Sequence, residues 1–383
     1  MNDQQYIFFA SCAKGLESTL ELELKEKSLL FFNINDLDIK KLKGGVEFKC
    51  QLNIGCLLNE VIKIATRILL RIDTFKVRDF PKLYNKAKKV NWNYYLRGQL
   101  PSIETSAFQS RIFDSRKIES TLHKAIKEHY IAQAPKKKYL DNNDHLPKSS
   151  VFVRLDNDTC TLSIDLSGER LDLRGYKLLS SNAPIRESLA AAMLYETKLH
   201  STNTETLLDL MSGSGSYSLD SINFYQQNTR RDYYYKWMPI FLKVPQTKSV
   251  IIDKKVFTSL YLNDLDKKTF TSLTENFGPF TESNKCHFTN LDIFDISQED
   301  FPKEKKALIL NPPYGKRIKT ELPIRDFFLN LIKHIENNIC PDILGIIIPR
   351  ELGDFKFKGN VLKRLEFDNG GYPIIFYITR YNS

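Results

Sequence analysis

Four short, uniformly apolar runs in the second half of this chain restrict its fold more than any other feature. They are TLLDL, KSVIID, KALILN and ILGIIIP, at residues 206–210, 248–253, 306–311 and 343–349. Strands that are apolar on both faces are typical of parallel sheets covered by helices. Residues 361–382 add two strand-like runs around Asn369-Gly370-Gly371, which is a hairpin signal. We therefore predict an α/β fold with a doubly wound parallel sheet that ends in an antiparallel hairpin.

The first half of the chain alternates between helical and strand patterns in small units. A strand, a helix and a second strand are predicted within residues 6–50, and a hairpin over 150–168. Residues 54–75 have apolar side chains at i, i+3 and i+4, which predicts one long amphipathic helix. Together these patterns predict one or two compact α+β modules that end near Gly168. The polar, lysine-rich stretch 135–150 is expected to be an exposed loop.

Composition limits the classes of partner and cofactor. At 383 residues the chain is long enough for two or three domains. Its 56 Lys+Arg against 46 Asp+Glu give a net charge of +10, which favours a polyanionic partner. The six cysteines and six histidines are dispersed without metal-ligand spacing, so we expect no metal site. Neither a membrane-spanning apolar run nor a secretion signal is found, so we expect a cytoplasmic protein without a membrane partner.

Asn311-Pro312-Pro313-Tyr314 directly follows the third apolar run and marks a candidate catalytic centre. The two prolines end the strand in a short, stiff turn, at the sheet edge where α/β folds bind ligands. The Asn311 side-chain oxygen and the Pro312 carbonyl can each accept a hydrogen bond from an exocyclic base amine. Tyr314 can stack on that base once the base is unpaired or flipped out. This pattern is typical of methyltransferases that modify amines with S-adenosylmethionine (SAM).

A second candidate element follows the first apolar run. In LLDLMSGSGSYSLD, the acidic Asp209 precedes Gly213 and Gly215. Glycine lets the backbone turn tightly and approach a ligand, although a GxG turn also suits an ordinary strand-to-helix connection. Because Asn-Pro-Pro-Tyr follows about 100 residues later, in the correct order, we interpret this turn as a SAM-binding loop.

With these motifs, the chain resembles the THUMP-domain guanine-N2 methyltransferases of bacterial 23S ribosomal RNA, the RlmL type that forms the N-terminal half of a longer fusion. FFASCAKGLESTLELEL is similar to that family's ferredoxin-like module, and residues 65–92 are similar to the start of its THUMP domain. The resemblance implies a ferredoxin-like module at 1–54 and a THUMP RNA-binding domain at 55–167. A Rossmann-like class I SAM methyltransferase domain follows at 168–383.

The resemblance also implies roles for individual residues. Asp292, in FTNLDIF, matches an acidic position expected near the adenine amine. The family's ribose-binding acid aligns with Ile251, so either Asp253, two residues further on, takes that role or the contact is lost. The other positions that match cofactor-binding motifs are Arg174, Tyr176, Pro184, Glu187, Asp209, Met211, Gly213 and Gly215.

Basic residues are candidates for RNA contact, because THUMP modules, by resemblance, bind structured RNA and phosphate contacts position such a substrate. For any one of those in the N-terminal half, ordinary surface charge is the commoner case. The insert NTRRDYYYKWMPIF, at 228–241, could cover the target base. The candidates are Lys86, Lys88, Lys89, Arg111, Arg116, Lys117, Arg230 and Arg231.

The function that the resemblance implies is SAM-dependent methylation of the exocyclic N2 of a guanine in 23S rRNA, presented as naked RNA or in a large-subunit precursor. A tRNA guanine-N2 enzyme is an alternative, since THUMP proteins also act on tRNA. An RNA-binding or ribosome-assembly protein with a decayed SAM site is another, because Ile251 stands where an acid is expected. A DNA adenine-N6 enzyme would share Asn-Pro-Pro-Tyr but not the N-terminal resemblance.

Overall fold

The computed structural model separates into two units that are interleaved along the chain. The first unit comprises residues 1–11, 25–171 and 229–250, and the second comprises 12–24, 172–228 and 251–383. Among the described residues, no helix is both long enough and apolar enough to cross a bilayer. The predicted loop at 135–150 lies outside the described residues except for its last two positions. The structure describes residues 4–98, 100–133, 149–177, 179, 185–244, 250, 252–280, 285–314 and 323–381.

The first unit contains a single seven-stranded sheet in the order β2-β3-β1-β4-β7-β6-β5. Only β5 and β6 run parallel; the other neighbours are antiparallel. The sheet therefore continues from the predicted ferredoxin-like module into the predicted THUMP domain. Its strands are β1 (Gln5–Ser11), β2 (Asp38–Leu42), β3 (Gly45–Gln51), β4 (Arg67–Lys76), β5 (Ser102–Phe108), β6 (Ser150–Asp156) and β7 (Thr159–Asp165). The helices of this half of the chain are α1 (Glu17–Phe32), α2 (Leu52–Val61), α3 (Phe80–Lys89) and α4 (Ser115–Gln133).

The prediction of one long helix over 54–75 is wrong. Helix α2 ends at Val61, and the residues from Arg67 onward form β4. Strand β4 lies between β1 and β7, so Ile68, Leu69 and Leu70 are all buried. A strand with apolar residues on both faces has no period-2 pattern, and its apolar residues can fit a helical spacing by coincidence.

The segment 229–250 packs with the first unit, although the sequence places it inside the methyltransferase domain. The Tyr235 amide donates to the Leu166 carbonyl at 3.1 Å, and the Tyr234 hydroxyl donates to the Tyr95 carbonyl at 2.8 Å. The Tyr235 hydroxyl donates to the buried Glu60 at 2.5 Å. Because Tyr233, Tyr234 and Tyr235 are buried, these rings cannot cover a target base as expected.

The second unit contains the predicted doubly wound sheet, in the order β10-β9-β8-β11-β12-β14-β13. The first five strands of that order are parallel, and β14 and β13 form the predicted antiparallel hairpin around Gly370 and Gly371. The strands are β8 (Thr206–Asp209), β9 (Ser259–Asn263), β10 (Lys285–Thr289), β11 (Lys306–Leu310), β12 (Ile343–Pro349), β13 (Asn360–Asn369) and β14 (Tyr372–Arg380). The helices are α5 (Glu187–His200), α6 (Ser216–Asn223), α7 (Lys267–Phe277) and α8 (Ile324–His334).

The predicted strand over 248–253 is wrong. Its described residues, Val250, Ile252 and Asp253, are outside regular structure, and the strand that follows β8 in the sheet is β9. Strand β9 has partly exposed side chains at alternate positions, including Tyr261, which stacks on His287 of β10. It therefore lacks the uniformly apolar pattern of the other parallel strands.

Apolar side chains cover both faces of the central strands and hold their carboxyl ends in place. Leu208 and Leu308 pack with Phe328 of α8 in one continuous core. Their neighbours Leu207 and Ile309, which point to the other face, are also buried. Because β8 and β11 are buried on both sides, the loops that leave their ends start from fixed positions.

We expect Tyr235→Ala to destabilise the first unit by about 3–5 kcal/mol, the usual cost of removing a buried aromatic ring. Tyr235→Phe keeps the ring and loses the bond to Glu60, at about 1 kcal/mol. Both tryptophans, Trp92 and Trp237, belong to the first unit, so urea unfolding followed by tryptophan fluorescence reports on it. Equal urea midpoints for the parent chain and Tyr235→Ala would contradict the packing of 229–250 in this unit.

Candidate active site

A cavity of about 1050 Å³ opens at the carboxyl ends of the parallel strands. Open α/β sheets bind ligands at this edge, and the volume suits a molecule the size of a nucleoside cofactor. Four connections line it. They are the loop after β8 with the start of α6 (210–217), the turn after β9 with the start of α7 (263–272), the turn after β10 (291–294) and the turn after β11 (311–313).

The loop after β8 turns through two glycines with left-handed backbone. Gly213 has φ of +57° and Gly215 has φ of +84°. A Cβ atom on Gly215 would lie 2.5 Å from a ring carbon of Phe277 in α7, so a larger residue would push α6 and α7 apart. The predicted SAM loop is therefore a tight turn that presents backbone groups to the cavity.

Asp264, which directly follows β9, closes this loop from the neighbouring strand. Its carboxylate accepts hydrogen bonds from the Gly213 amide at 2.8 Å and from the Asp266 amide at 3.1 Å. Partial burial raises the pKa of Asp264, and the bond from the Gly213 amide opposes that rise. Each carboxylate oxygen has a further lone pair, so Asp264 can also accept from ligand hydroxyls in the cavity.

The position of Asp264 corrects the predicted ribose contact. Asp253 is exposed and precedes the amino end of β9, whereas the cavity lies at the carboxyl end of that strand. Ile251 lies outside the described residues. Asp264 is the acid that lies at the carboxyl end of β9 and lines the cavity, and Asp253 was selected because 248–253 was taken as that strand.

Asn263, the last residue of β9, connects three of the four cavity loops through a buried amide. Its Nδ2 donates to the carbonyls of Leu210 at 3.1 Å and Leu291 at 3.0 Å. Its Oδ1 accepts from the Leu291 amide at 2.9 Å and the Thr289 hydroxyl at 3.0 Å. Its backbone carbonyl accepts from the Ser212 amide at 2.9 Å. All the hydrogen-bonding capacity of this side chain is used, so the loops have one arrangement.

Asp209 supports the loop from behind. Its carboxylate is buried and accepts from the Ser218 hydroxyl at 2.8 Å, and its second oxygen has no partner among the described residues. Burial raises its pKa to about 7, and the nearby Asp264 carboxylate adds to the rise.

Met211 and Asp292 do line the cavity as predicted.

Arg174 connects α5 and α6. The buried Arg174 guanidinium forms an ion pair with Asp220 of α6 and donates to the Glu187 carbonyl of α5 at 3.2 Å. The Glu187 carboxylate accepts from the Arg174 amide at 3.2 Å. Tyr176, two residues after Arg174, is also buried. These residues support the cavity wall from outside it, and the predicted Pro184 lies outside the described residues.

Asn311 is the strongest sign of an amine-binding centre. Its Oδ1 is buried and has no hydrogen-bond partner among the described residues, although buried side-chain oxygens nearly always have one. Asn311, Pro312 and Pro313 line the cavity. An unpaired buried acceptor at the cavity wall fits a ligand that donates a hydrogen bond.

Tyr314 faces a second, smaller cavity of about 380 Å³ beside the first. Its hydroxyl accepts from the Asn369 side chain at 2.7 Å, which fixes the β13–β14 turn against it. Tyr372, which opens β14, lines the same cavity and is partly exposed. The remaining lining residues are Pro349, Arg350, Glu351 and Pro373. This pair of tyrosines was not apparent in the sequence, because the turn is far from Tyr314 along the chain.

The predicted RNA-binding residues of the first unit form two separate groups. Helices α3 and α4 run in the same direction, because Tyr84 contacts Lys124 and, four residues later in each helix, Lys88 pairs with Glu128 at 2.8 Å. Lys86, Lys88 and Lys89 lie in the last turn of α3, while Arg111, Arg116 and Lys117 lie around the start of α4. With a rise of about 1.5 Å per residue, a ten-residue helix separates the groups by roughly 15 Å.

The two arginines of the insert differ from each other. Arg230 is exposed. Arg231 donates to the Arg170 carbonyl at 2.7 Å and stacks 5.4 Å from the centre of the Tyr233 ring, so its guanidinium contributes to packing in the first unit.

Among the described residues, no cluster of three histidine, cysteine or acidic side chains could hold a metal ion.

Comparison with known families finds matches to three parts of the chain. Residues 7–69 match the RlmL ferredoxin-like domain, 77–165 match the THUMP domain and 174–356 match the RMKL-like methyltransferase domain. These matches confirm the predicted mixed α/β fold, the methyltransferase class and SAM as its cofactor.

Individual relatives and structures agree with these matches. The chain is 27% identical over 329 residues to the ribosomal RNA large subunit methyltransferase K/L of Psychromonas ingrahamii. The aligned region covers 81% of this chain and 42% of that protein. The chain thus spans less than half the length of that relative. A structure from Clostridium difficile 630, described as a possible methylase, superposes with a TM-score of 0.80 at 21% identity, covering 99% of both chains. SMU.472, a methyltransferase described in complex with SAH, gives 0.76 at 19% identity, covering 100% of this chain and 99% of its own.

We expect Asp264→Ala to weaken SAM binding by about 10- to 100-fold, because a charged acceptor for ligand hydroxyls and the partner of the Gly213 amide are both lost. Isothermal titration calorimetry with SAM measures this directly. Asp253→Ala is the matched control and should bind SAM like the parent chain. The reverse ranking of the two variants would restore Asp253 as the ribose-binding acid.

We expect Asp209→Asn to change how stability depends on pH. Because the folded pKa of Asp209 is raised to about 7, its contribution to stability is present below pH 4 and is lost as the pH rises through 7. Relative to the parent, the variant should therefore gain stability between pH 4 and pH 8, by up to roughly 4 kcal/mol at about 1.4 kcal/mol per pKa unit. Urea unfolding across this range tests it, with the exposed Asp253→Asn as control; parallel curves for parent and Asp209→Asn would contradict it.

Proposed function

We propose that this chain, which matches an RlmL ferredoxin-like domain, a THUMP domain and an RMKL-like methyltransferase domain, methylates the exocyclic N2 of a guanine in 23S ribosomal RNA. The observation that carries the proposal is the buried Asn311 Oδ1, which lies at the wall of the larger cavity and has no partner in the described part of the chain. In this proposal the chain acts in the cytoplasm, on naked rRNA or on a large-subunit precursor.

The larger cavity fits SAM in the groups it offers. Asp264 is placed to accept from the ribose hydroxyls, and Asp292 lines the cavity where the adenine amine is expected. The glycine turn at 213–215 leaves room for the methionine part. When bound, SAM supplies an electrophilic methyl group on a sulfonium sulfur. Asn311 lines this cavity, so the proposed cofactor site and the amine-binding turn are next to each other.

Asn311 and Pro312 provide an amine clamp. The lone pair of a base amine is delocalised into the ring, so the nitrogen is a weak nucleophile. Two acceptors, the Asn311 side-chain oxygen and the Pro312 carbonyl, can hold both amine protons and leave the nitrogen directed toward the methyl group. Orientation and fixed dipoles supply the catalysis, and no strong general base is needed.

The smaller cavity is the proposed position of the target nucleotide. Tyr314 follows the clamp directly, and Tyr372 lines the same cavity from the β13–β14 hairpin. The exposed Tyr372 ring would hold a flipped base by stacking, whereas the Tyr314 ring is buried in the cavity wall. Arg350, an exposed cation at the rim, can bind a phosphate. The hydrogen bond from Asn369 to the Tyr314 hydroxyl keeps the hairpin in place.

The choice of RNA as substrate is supported by the THUMP match, and the choice of 23S rRNA by the name of the Psychromonas relative. The net charge of +10 agrees with a polyanionic partner. Transfer of labelled methyl from SAM to transcribed 23S rRNA, to large-subunit precursors and to tRNA tests the proposal. Label in N2-methylguanosine of rRNA is expected. Label only in tRNA would reassign the substrate, and no label with no SAM binding would support an RNA-binding protein without activity.

We expect Asn311→Ala to lower kcat at least about 100-fold with little change in SAM affinity, because the clamp acts on the amine and not on the cofactor. Single-turnover methylation and SAM calorimetry separate the two effects. A parallel loss of SAM binding would instead place Asn311 in the cofactor site.

We expect Tyr372→Ala to raise KM for RNA about 10-fold, since a stacked base is worth about 1–3 kcal/mol, whereas Tyr372→Phe should retain parent behaviour. Initial rates over a range of RNA concentrations measure this. If both substitutions act alike, stacking by Tyr372 is wrong.

A further inference from the structure

One surface of the first unit combines exposed cations with exposed aromatic rings. It lies where α3 and α4 begin and where β6 and β7 are joined, and we call it the β6–β7 turn surface. It is formed by Lys76, Arg78, Phe108, Arg111, Phe113, Arg116 and Asp158.

Asp158 fixes two arginines in one place. Its Oδ2 lies 3.3 Å from Nε of Arg78 and 3.8 Å from Nε of Arg111. The carboxylate is 16% exposed, while the two arginine side chains are 64% and 68% exposed. Both guanidinium groups therefore keep outward-facing donors, and one carboxylate neutralises only one of them. Lys76 adds a third cation, donating to the Asn157 carbonyl at 3.2 Å. Paired guanidinium groups of this kind match a phosphate.

The neighbouring acids are used by the fold. Asp79 caps α3 by accepting from the Lys82 amide at 2.7 Å. Asp114 caps α4 by accepting from the Arg116 amide at 3.1 Å and the Lys117 amide at 3.3 Å. Asp114 also lies 4.0 Å from Nε of Arg116. The uncompensated positive charge of this surface therefore comes from the Arg78–Arg111 pair and Lys76.

Two phenylalanines beside these cations are unusually exposed. Phe108 is 59% exposed and Phe113 is 73% exposed. Their backbone is held in place: the Phe108 carbonyl accepts from the Asn157 amide at 3.2 Å, and the Arg111 amide donates to Asp158 at 2.9 Å. Ile112, between Arg111 and Phe113, is buried and anchors the segment. Rigid, exposed rings next to cations are the features with which proteins bind unpaired nucleotides.

We propose that the β6–β7 turn surface binds an unpaired segment of the RNA substrate, with a base stacked on Phe113 and backbone phosphates on Arg78 and Arg111. This rests on the proposed function for the identity of the partner. The lysines of the last turn of α3 lie at the other end of α3, and Lys88 there is already paired with Glu128, so they are not part of this site.

The test uses the full chain and fluorescence anisotropy over a series of KCl concentrations. The probes are a labelled RNA hairpin with an unpaired loop and a fully paired RNA duplex of the same length. Arg78→Gln with Arg111→Gln should reduce the slope of log affinity against log salt by about two, one for each phosphate contact. Phe113→Ala should weaken hairpin binding about 10-fold and leave duplex binding unchanged, and Phe113→Tyr should restore it.

Lys303→Gln with Lys305→Gln is the matched control. It removes the same charge from two exposed lysines that precede β11, at the sheet edge opposite the cavity, and should keep the parent's salt slope. An unchanged slope in the arginine variant, or equal effects of Phe113→Ala on hairpin and duplex, would overturn the proposal. So would tighter binding of anionic lipid vesicles than of RNA. Far-UV circular dichroism during urea unfolding, which reports on both units, confirms that each variant is folded.

The outcome is separable from that of the proposed function. If the arginine and phenylalanine variants behave as expected but no RNA is methylated, the proposed RNA-binding surface is supported and the proposed methylation is contradicted. If RNA is methylated and both variants bind it like the parent, the proposed methylation is supported and the proposed RNA-binding surface is wrong.

Discussion

The buried amide of Asn263 determines how the candidate active site is assembled. From the end of β9, its side chain makes one hydrogen bond to Leu210 after β8, two to Leu291 after β10 and one to Thr289 at the end of β10. Asp264 follows it directly and closes the glycine turn through the Gly213 amide. A buried amide with an unpaired group is costly, so the network favours one arrangement of all three loops. Asn263 thus joins the loops after β8 and β10, both of which line the cavity.

Two aspartates near the same loop have different environments and therefore different roles. Asp209 is fully buried behind the turn, and burial raises its pKa to about 7. Asp264 lines the cavity and keeps backbone donors on both oxygens. The first stabilises the turn from within the sheet, and the second can contact a ligand. The Asn311 oxygen resembles neither, because it is buried at the cavity wall and has no partner among the described residues. Such an acceptor is costly in the free protein and is satisfied when a donor binds.

Local features were predictable from the sequence, and long-range ones were not. Two consecutive prolines end a strand, and Gly370-Gly371 favours a tight hairpin. The end of β11 and the β13–β14 hairpin were therefore both predicted correctly. Strand β9 was missed because its partly exposed side chains lack the uniformly apolar pattern, and with it Asp264 was missed as the acid at its end. The packing of 229–250 in the first unit depends on partners such as Glu60 and Tyr95, far away along the chain. No spacing within the insert could indicate them.

The most direct test of this account is a crystal structure of the chain with S-adenosylhomocysteine. We predict that its ribose hydroxyls bind the Asp264 carboxylate, that its adenine lies near Asp292 and that its sulfur faces the Asn311 side chain. A ribose bound by Asp253, or a nucleoside in a cavity other than the one between the glycine turn and Asn311, would contradict the assignment of the cofactor site.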